Sequence, residues 1–184
     1  MNQRVACFTG RFQPFHLQHL EVLSVLSHKF ERIIIGVTNP DLEDLQAHSA
    51  SSHRHTDGAN PFSFDARVEI INDSIAGIQK TDLNNVEIDI VPFDLTKPDS
   101  WRVPAETVFA VRIFSPWEAS KVSLFTEQGF ETLQLPAPKD KLSASDIRVS
   151  LAAFDSNWQS LVAAEAISTI QANWDRVASP KVSA

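Results

Sequence analysis

The chain is poor in glycine, with five among 184 residues, at positions 10, 36, 58, 77 and 129. No two of them stand close enough to build G-x-G-x-x-G or G-x-x-x-x-G-K-[ST], which excludes a dinucleotide fingerprint and a Walker loop. Basic side chains are also scarce, 16 against 23 acidic, and the formal charge of −7 opposes a nucleic-acid backbone, whose binding rests on Lys and Arg neutralising phosphates. The single cysteine, Cys7, has no internal partner for a disulfide; its apolar neighbours make it a buried thiol suited to a reducing compartment. The opening MNQRVACFTG lacks the apolar core of a secretory signal, and no apolar run reaches the ~18 residues of a membrane span. The expectation is a cytoplasmic protein with neither a nucleic acid nor a membrane as partner.

What is present is an alternation of strand and helix patterns. Val5 to Thr9 reads as a strand, followed by a turn with Gly10 and Pro14 and a helix whose Leu20, Leu23, Leu26 and Phe30 share one face. Arg32 to Thr38 (RIIIGVT) is a short β-branched run of the kind buried on both sides in a parallel sheet. From Asn39 to Ser63 no periodicity is visible, which marks a functional or disordered loop. Phe64 to Ile78 predicts a helix, Val86 to Phe93 a strand near a sheet edge, Thr107 to Phe114 a strand, Pro116 to Gln128 a helix stopped by Gly129, and Glu131 to Leu135 a last strand. After the connector LPAPKD, the spacing predicts one helix from LSASDIRVSLAAF and another over Trp158 to Trp174. The fold class is α/β, a mostly parallel five-stranded sheet with helices on both faces. Ligands of such sheets bind beyond the carboxyl ends of the strands, which points to the Gly10 loop and the loop after Thr38.

Two helix starts carry chemistry. In Thr9-Gly10-Arg11-Phe12-Gln13-Pro14-Phe15-His16-Leu17-Gln18-His19, a strand end leads into a helix with His16 and His19 on one face of its first turn. Free N–H groups and the positive dipole end there suit an anion, although two solvated surface histidines fit the same spacing. No third ligand stands at a spacing that makes a metal site of the pair. In Ser143-Ala144-Ser145-Asp146-Ile147-Arg148, Ser143 and Asp146 form a capping box, and Ser145 and Arg148 together offer a hydroxyl and a guanidinium to phosphate oxygens. Two phosphate-competent helix starts in one small domain suggest a polyphosphate ligand.

GRFQPFHLQHLEVL resembles the H-x-G-H signature of the nucleotidyltransferase superfamily, and is most similar to the opening of archaeal-type nicotinamide mononucleotide (NMN) adenylyltransferases. SASDIR resembles that family's C-terminal phosphate motif, and Asn60-Pro61-Phe62 with Arg67 its NPF segment and following arginine. The resemblance runs over about residues 4 to 172 and implies a single Rossmann-like nucleotidyltransferase domain over 1–184, with C-terminal helices from about 143. It implies transfer of a nucleoside monophosphate from a nucleoside triphosphate to a small phosphorylated acceptor, with ATP and NMN as the foremost pair. The alternatives are a CTP-dependent cytidylyltransferase acting on a small phosphate or phosphonate ester, and a nucleotide-binding regulatory module without turnover. By the same resemblance His16, His19 and Arg11 serve catalysis, and Thr9, Gly10, Phe12, Ser143, Ser145 and Arg148 bind the nucleotide. Asn39, Arg54, His55 and Trp101 bind the acceptor, Trp101 standing where relatives stack an aromatic on the nicotinamide ring; a core or rim tryptophan is the other reading of it. Mg²⁺ would bridge the nucleotide's own oxygens, since no carboxylate cage is visible, and the relatives' habit of assembling implies a homo-oligomer. Two positions depart from the pattern: Ser115-Pro116 stands where relatives show Asn-Pro, and Gln18 occupies the place of the signature glycine, either crowding the nucleotide or adding an amide contact.

Overall fold

A computed structural model describes residues 3–43, 56–78, 83 and 85–179. The elements follow the alternation in order: Val5–Gly10 (β1), Leu17–Ser27 (α1), Arg32–Thr38 (β2), Phe64–Ala76 (α2), Glu87–Phe93 (β3), Val108–Arg112 (β4), Pro116–Glu127 (α3), Glu131–Leu135 (β5), Ala144–Ala152 (α4) and Ile167–Ala178 (α5). Among the described residues all five strands are parallel, in the order β3-β2-β1-β4-β5. Strand order therefore reverses between β1 and β4, and the crevice beyond Gly10 and Arg112 is where such a sheet receives a ligand.

The pleat sends alternate side chains to two cores. Ala6, Phe8, Ile33, Ile35, Val37 and Ala110 meet the apolar faces of α1, α2, α4 and α5 on one side. Val5, Cys7, Ile34, Phe109 and Val111 meet Phe125 of α3 on the other, with Trp101 and Phe130 packed beside them. Cys7 is fully buried, and burial pushes its thiol up, far from a reactive thiolate. β3 lies at an edge, as its alternation predicts, and Asp89 on it pairs with Arg32 at 2.7 Å.

Local chemistry explains most boundaries. Ser63 caps α2 by accepting from the Ala66 N–H at 3.2 Å. α3 closes with Gly129 in the left-handed region at φ 85°, while the Phe130 N–H donates to the Phe125 carbonyl at 3.0 Å, a glycine-terminated helix end. The single helix expected over Trp158–Trp174 is broken. Ser156–Leu161 and Ala164–Ala166 are 3₁₀ turns separated by extended Val162 and Ala163. Across this extended step Trp158, Val162, Ala166 and Ile170 all bury in the same core.

The loops at the carboxyl ends of β1 and β2 are fixed from beneath by Arg67 of α2, a fully buried arginine. Its guanidinium donates to the carbonyls of Arg11 (3.1 Å), Thr38 (2.7 Å) and Asn39 (2.7 Å), and its Nε to that of Ser63 (3.2 Å). Burial lowers its pKa to about 10, still high enough for a full positive charge at neutral pH. Replacing it leaves buried carbonyls without a donor, each costing about 1–3 kcal/mol. Arg67→Met is therefore expected to lose at least about 3 kcal/mol in urea unfolding at pH 7; a loss under about 1 kcal/mol would show that water replaces the arginine freely.

Candidate active site

The loop between β1 and α1 is unusually constrained for one with a single glycine. Gly10 is required by contact, because a Cβ there would stand 2.6 Å from Cε1 of the Phe12 ring. Phe12 itself is left-handed at φ 52°, a conformation that costs a non-glycine residue roughly 1–2 kcal/mol. Burial of its ring against Phe8, Phe15 and His19 offsets that cost. The Gln13–Pro14 peptide is cis. Gln13 is buried and its amide exchanges two hydrogen bonds with the Phe62 backbone, both 2.9 Å. Its carbonyl accepts from Arg148 Nη1 of α4 at 2.6 Å.

His16 caps α1 and His19 sits three residues on, their rings stacked with centroids 3.6 Å apart. The His16 N–H donates to His19 Nδ1 at 3.1 Å. That bond makes Nδ1 the acceptor nitrogen, so the neutral ring carries its proton on Nε2. Burial, above all, lowers the pKa of His16 to about 3 and pulls that of His19 well down, with like charge on His16, Arg112 and Lys121 adding to the latter. Both rings are thus neutral donors at neutral pH. The first turn of α1 holds no acidic residue, leaving its positive end open to an anion.

A cavity of about 260 Å³ opens beside this turn, lined among others by Thr9, Gly10, His16, His19, Ser143 and Ser145. Among the described residues, Thr9 Oγ1 and His16 Nδ1 are buried with no hydrogen-bond partner, and both residues line this space. Ser143 caps α4 by accepting from the Ser145 N–H at 3.2 Å; the expected bond from Ser143 to the Asp146 N–H is replaced by one to the Ser143 carbonyl, 3.0 Å. Arg148 does not line the cavity. It stands behind it, its Nη2 donating to Ser145 Oγ at 3.1 Å, so it orients the hydroxyl and the Gln13 carbonyl. Gln18, in the place of the signature glycine, reaches across to the connector before α4: Nε2 donates to the Asp140 carbonyl at 2.7 Å and Oε1 accepts from the Leu142 N–H at 2.9 Å. The amide is directed to the chain.

A second cavity, about 310 Å³, lies on the other side of the β1 loop and is lined by Thr38, Asn39, Asp41, Thr96 and Lys97 among others. Arg11, Trp117 and Lys121 line both spaces, so the two cavities meet there. Asn39 is left-handed at φ 51° and its amide donates to Asn60 Oδ1 at 3.4 Å. Arg11 donates to the Ala59 carbonyl at 3.1 Å. Lys121 of α3 is buried, its Nζ donating to the Thr9 carbonyl at 2.8 Å.

Of the expected site residues, Thr9, Gly10, Arg11, Phe12, His16, His19, Ser143 and Ser145 surround the first cavity, and Asn39 the second. Trp101 reaches neither: partly buried against the second core, it stacks on Phe93 at 4.8 Å and donates its indole N–H to the Asp94 carbonyl at 2.7 Å. Arg54 and His55 lie outside the described residues. Lys121, Arg112 and Lys141 at the first cavity are absent from the expectation. A lysine flanked by apolar neighbours in Lys121-Val122-Ser123-Leu124-Phe125 was the available signal, since a buried lysine demands a reason.

Fold and site together define a nucleotidyltransferase. A family model described as cytidylyltransferase-like matches residues 7–150, and the chain belongs to that family. It is 28% identical over 156 residues, 83% of each chain, to a phosphonoformate cytidylyltransferase of Streptomyces viridochromogenes. It is 30% identical over 165 residues, 85% of each chain, to a nicotinamide-nucleotide adenylyltransferase of Ignicoccus hospitalis. Among solved structures, the fold matches a bifunctional NMN adenylyltransferase/ADP ribose pyrophosphatase of Francisella tularensis complexed with AMP and a manganese ion, at a TM-score of 0.59 and 16% identity, over 96% of this chain and 52% of that one. It also matches nicotinic acid mononucleotide adenylyltransferase of Plasmodium falciparum complexed with NaAD, at 0.54 and 12%, over 96% and 98%. No helix among the described residues is long and apolar enough to cross a membrane.

The depressed histidines have a consequence for stability. His16 takes up a proton in the unfolded chain below about pH 6.5 but in the folded chain only near pH 3, so its contribution is complete above pH 6.5 and is lost on acidification towards 3. The stability of the parent is expected to fall between pH 6.5 and 4.5 more steeply than that of His16→Asn, by up to about 1.4 kcal/mol per pH unit. Parallel profiles of unfolding free energy would contradict the assignment.

Proposed function

We propose that the chain transfers a nucleoside monophosphate from a nucleoside triphosphate to a small phosphorylated acceptor and releases pyrophosphate. The observation that carries this reading is the meeting of two cavities at Arg11 and Lys121, one of them lined by His16, His19 and Ser145. The triphosphate occupies the first, against the α1 and α4 starts. The acceptor occupies the second, with its phosphate oxygen in line to attack the α-phosphorus. Bringing two anions together is the main barrier for a site that does no covalent chemistry of its own. Lys121 and Arg11 stand where that repulsion arises, and His19 Nε2–H donates to charge growing on the α-phosphate oxygens.

A divalent cation, Mg²⁺ in our reading, would be carried by the triphosphate and would supply neutralisation of its charge. Among the described residues no group of three His, Cys, Asp or Glu side chains is placed to hold a metal ion.

Two donor–acceptor pairs suit this reaction. ATP with NMN is supported by the GRFQPFH opening and by the adenylyltransferase relatives. CTP with a small phosphonate or phosphate ester is favoured by one particular observation: Trp101, the residue expected to stack on a nicotinamide ring, is stacked on Phe93 against the second core and lines neither cavity. The assay incubates the protein with Mg²⁺ and ATP or CTP, against NMN and a panel of small phosphates and phosphonates, and follows pyrophosphate. Pyrophosphate release with one pair is the expected result, NAD marking the first and a CMP conjugate the second; nucleotide binding without any release would overturn the proposal in favour of a regulatory module. His19→Ala is expected to lower kcat at least about 100-fold with the fold intact, and activity within a few fold of the parent would remove the histidine from the mechanism.

A further inference from the structure

Gln18 occupies the place where the signature has glycine, and its side chain does not fill the nucleotide cavity idly. It is half-buried on the first turn of α1, with its own carbonyl accepting from Arg112 Nη1 at 3.3 Å. Its amide bonds a carbonyl and an N–H, those of Asp140 and Leu142, that lie 122 and 124 residues away in the chain. A primary amide is a neutral group that donates from its nitrogen and accepts at its oxygen at once, which lets one side chain bond both a carbonyl and an N–H. The next residue after Leu142 is Ser143, the cap of α4, whose hydroxyl fixes the Ser145 N–H.

We infer that Gln18 is a positioning residue that ties the α4 half of the triphosphate site to the α1 half, setting Ser143 and Ser145 in place before the nucleotide arrives. The inference rests on the proposed location of the triphosphate. Elsewhere the α4 start is held to the β1 loop through Arg148, which reaches the Gln13 carbonyl from the helix interior. The connector ahead of Ser143 is held through its side chains by Lys141, 3.8 Å from Glu118 Oε1 and 4.7 Å from the Phe114 ring centroid, and Gln18 adds two hydrogen bonds to its backbone. Without such a tie, ordering the connector is a cost that the ligand must meet on binding, and preorganisation removes it. A positioning residue of this kind acts on the affinity of the triphosphate more than on the chemical step.

The test compares the parent with Gln18→Met, which keeps the length and loses both bonds, and with Gln18→Glu, which keeps the acceptor for Leu142. Hydrogen exchange at the Leu142 amide reads the tie directly. It is expected to be slow in the parent, at least tenfold faster in Gln18→Met, and slowed again in Gln18→Glu. In the same proteins KM for the triphosphate, and its Kd by calorimetry, are expected to rise about tenfold in Gln18→Met, the loss of two net hydrogen bonds, with kcat within twofold. Unchanged exchange at Leu142 would overturn the inference, as would faster exchange with unchanged triphosphate affinity. If the parent binds triphosphate without turning over, the proposed reaction fails, while the calorimetric and exchange readings still decide the role of Gln18.

Discussion

The architecture of the site depends on one interaction, the buried guanidinium of Arg67 beneath the carboxyl ends of β1 and β2. It gathers the carbonyls of Arg11, Thr38 and Asn39 around a single charge. Those three residues stand at the walls of two different cavities, so one side chain sets the distance between the sites we assign to donor and acceptor. A planar group with five fixed donors does this where lysine, a flexible point charge, would not. A second arginine, Arg148, repeats the device one turn further along the loop by holding the Gln13 carbonyl.

This answers how a loop with one glycine cradles phosphate. Glycine-rich loops approach phosphate through backbone freedom. Here the backbone is forced into shape instead: Phe12 is held left-handed by its aromatic neighbours, Gln13 is locked to Phe62, and the carbonyls are turned inward onto arginines. The imidazoles then provide the donors. Their neutrality follows from burial, and the His16 N–H selects which His19 nitrogen carries the proton. A chain with net negative charge still concentrates cations, since Arg11, Arg112, Lys121 and Lys141 converge on the first cavity.

The alternation of periods in the sequence was enough to read the parallel sheet, the strands and the capped helices, because each of those is fixed by local pattern. The two helix starts with His16, His19, Ser143 and Ser145 were readable for the same reason. What escaped was set by distant partners. The side chain of Arg148 is turned inward by the Gln13 carbonyl, 135 residues away. Trp101 is drawn into an aromatic cluster with Phe93, Phe109 and Phe125, and an isolated tryptophan in a loop carries no mark of that. Gln18 could be seen to depart from glycine, yet its choice between crowding a ligand and bonding the chain was decided by a connector 122 residues on. The break at Val162 left no mark in the apolar spacing, because Trp158, Val162, Ala166 and Ile170, four residues apart, would share one face of a continuous helix as well.

The most direct measurement of the account is a crystal structure with an α,β-methylene nucleoside triphosphate and inorganic phosphate as a stand-in for the acceptor. The account predicts the triphosphate against His16, His19 and Ser145, and the phosphate in the Asn39 cavity, with Lys121 and Arg11 between the two. A triphosphate bound in the Asn39 cavity, or both anions on the same side of Lys121, would contradict it.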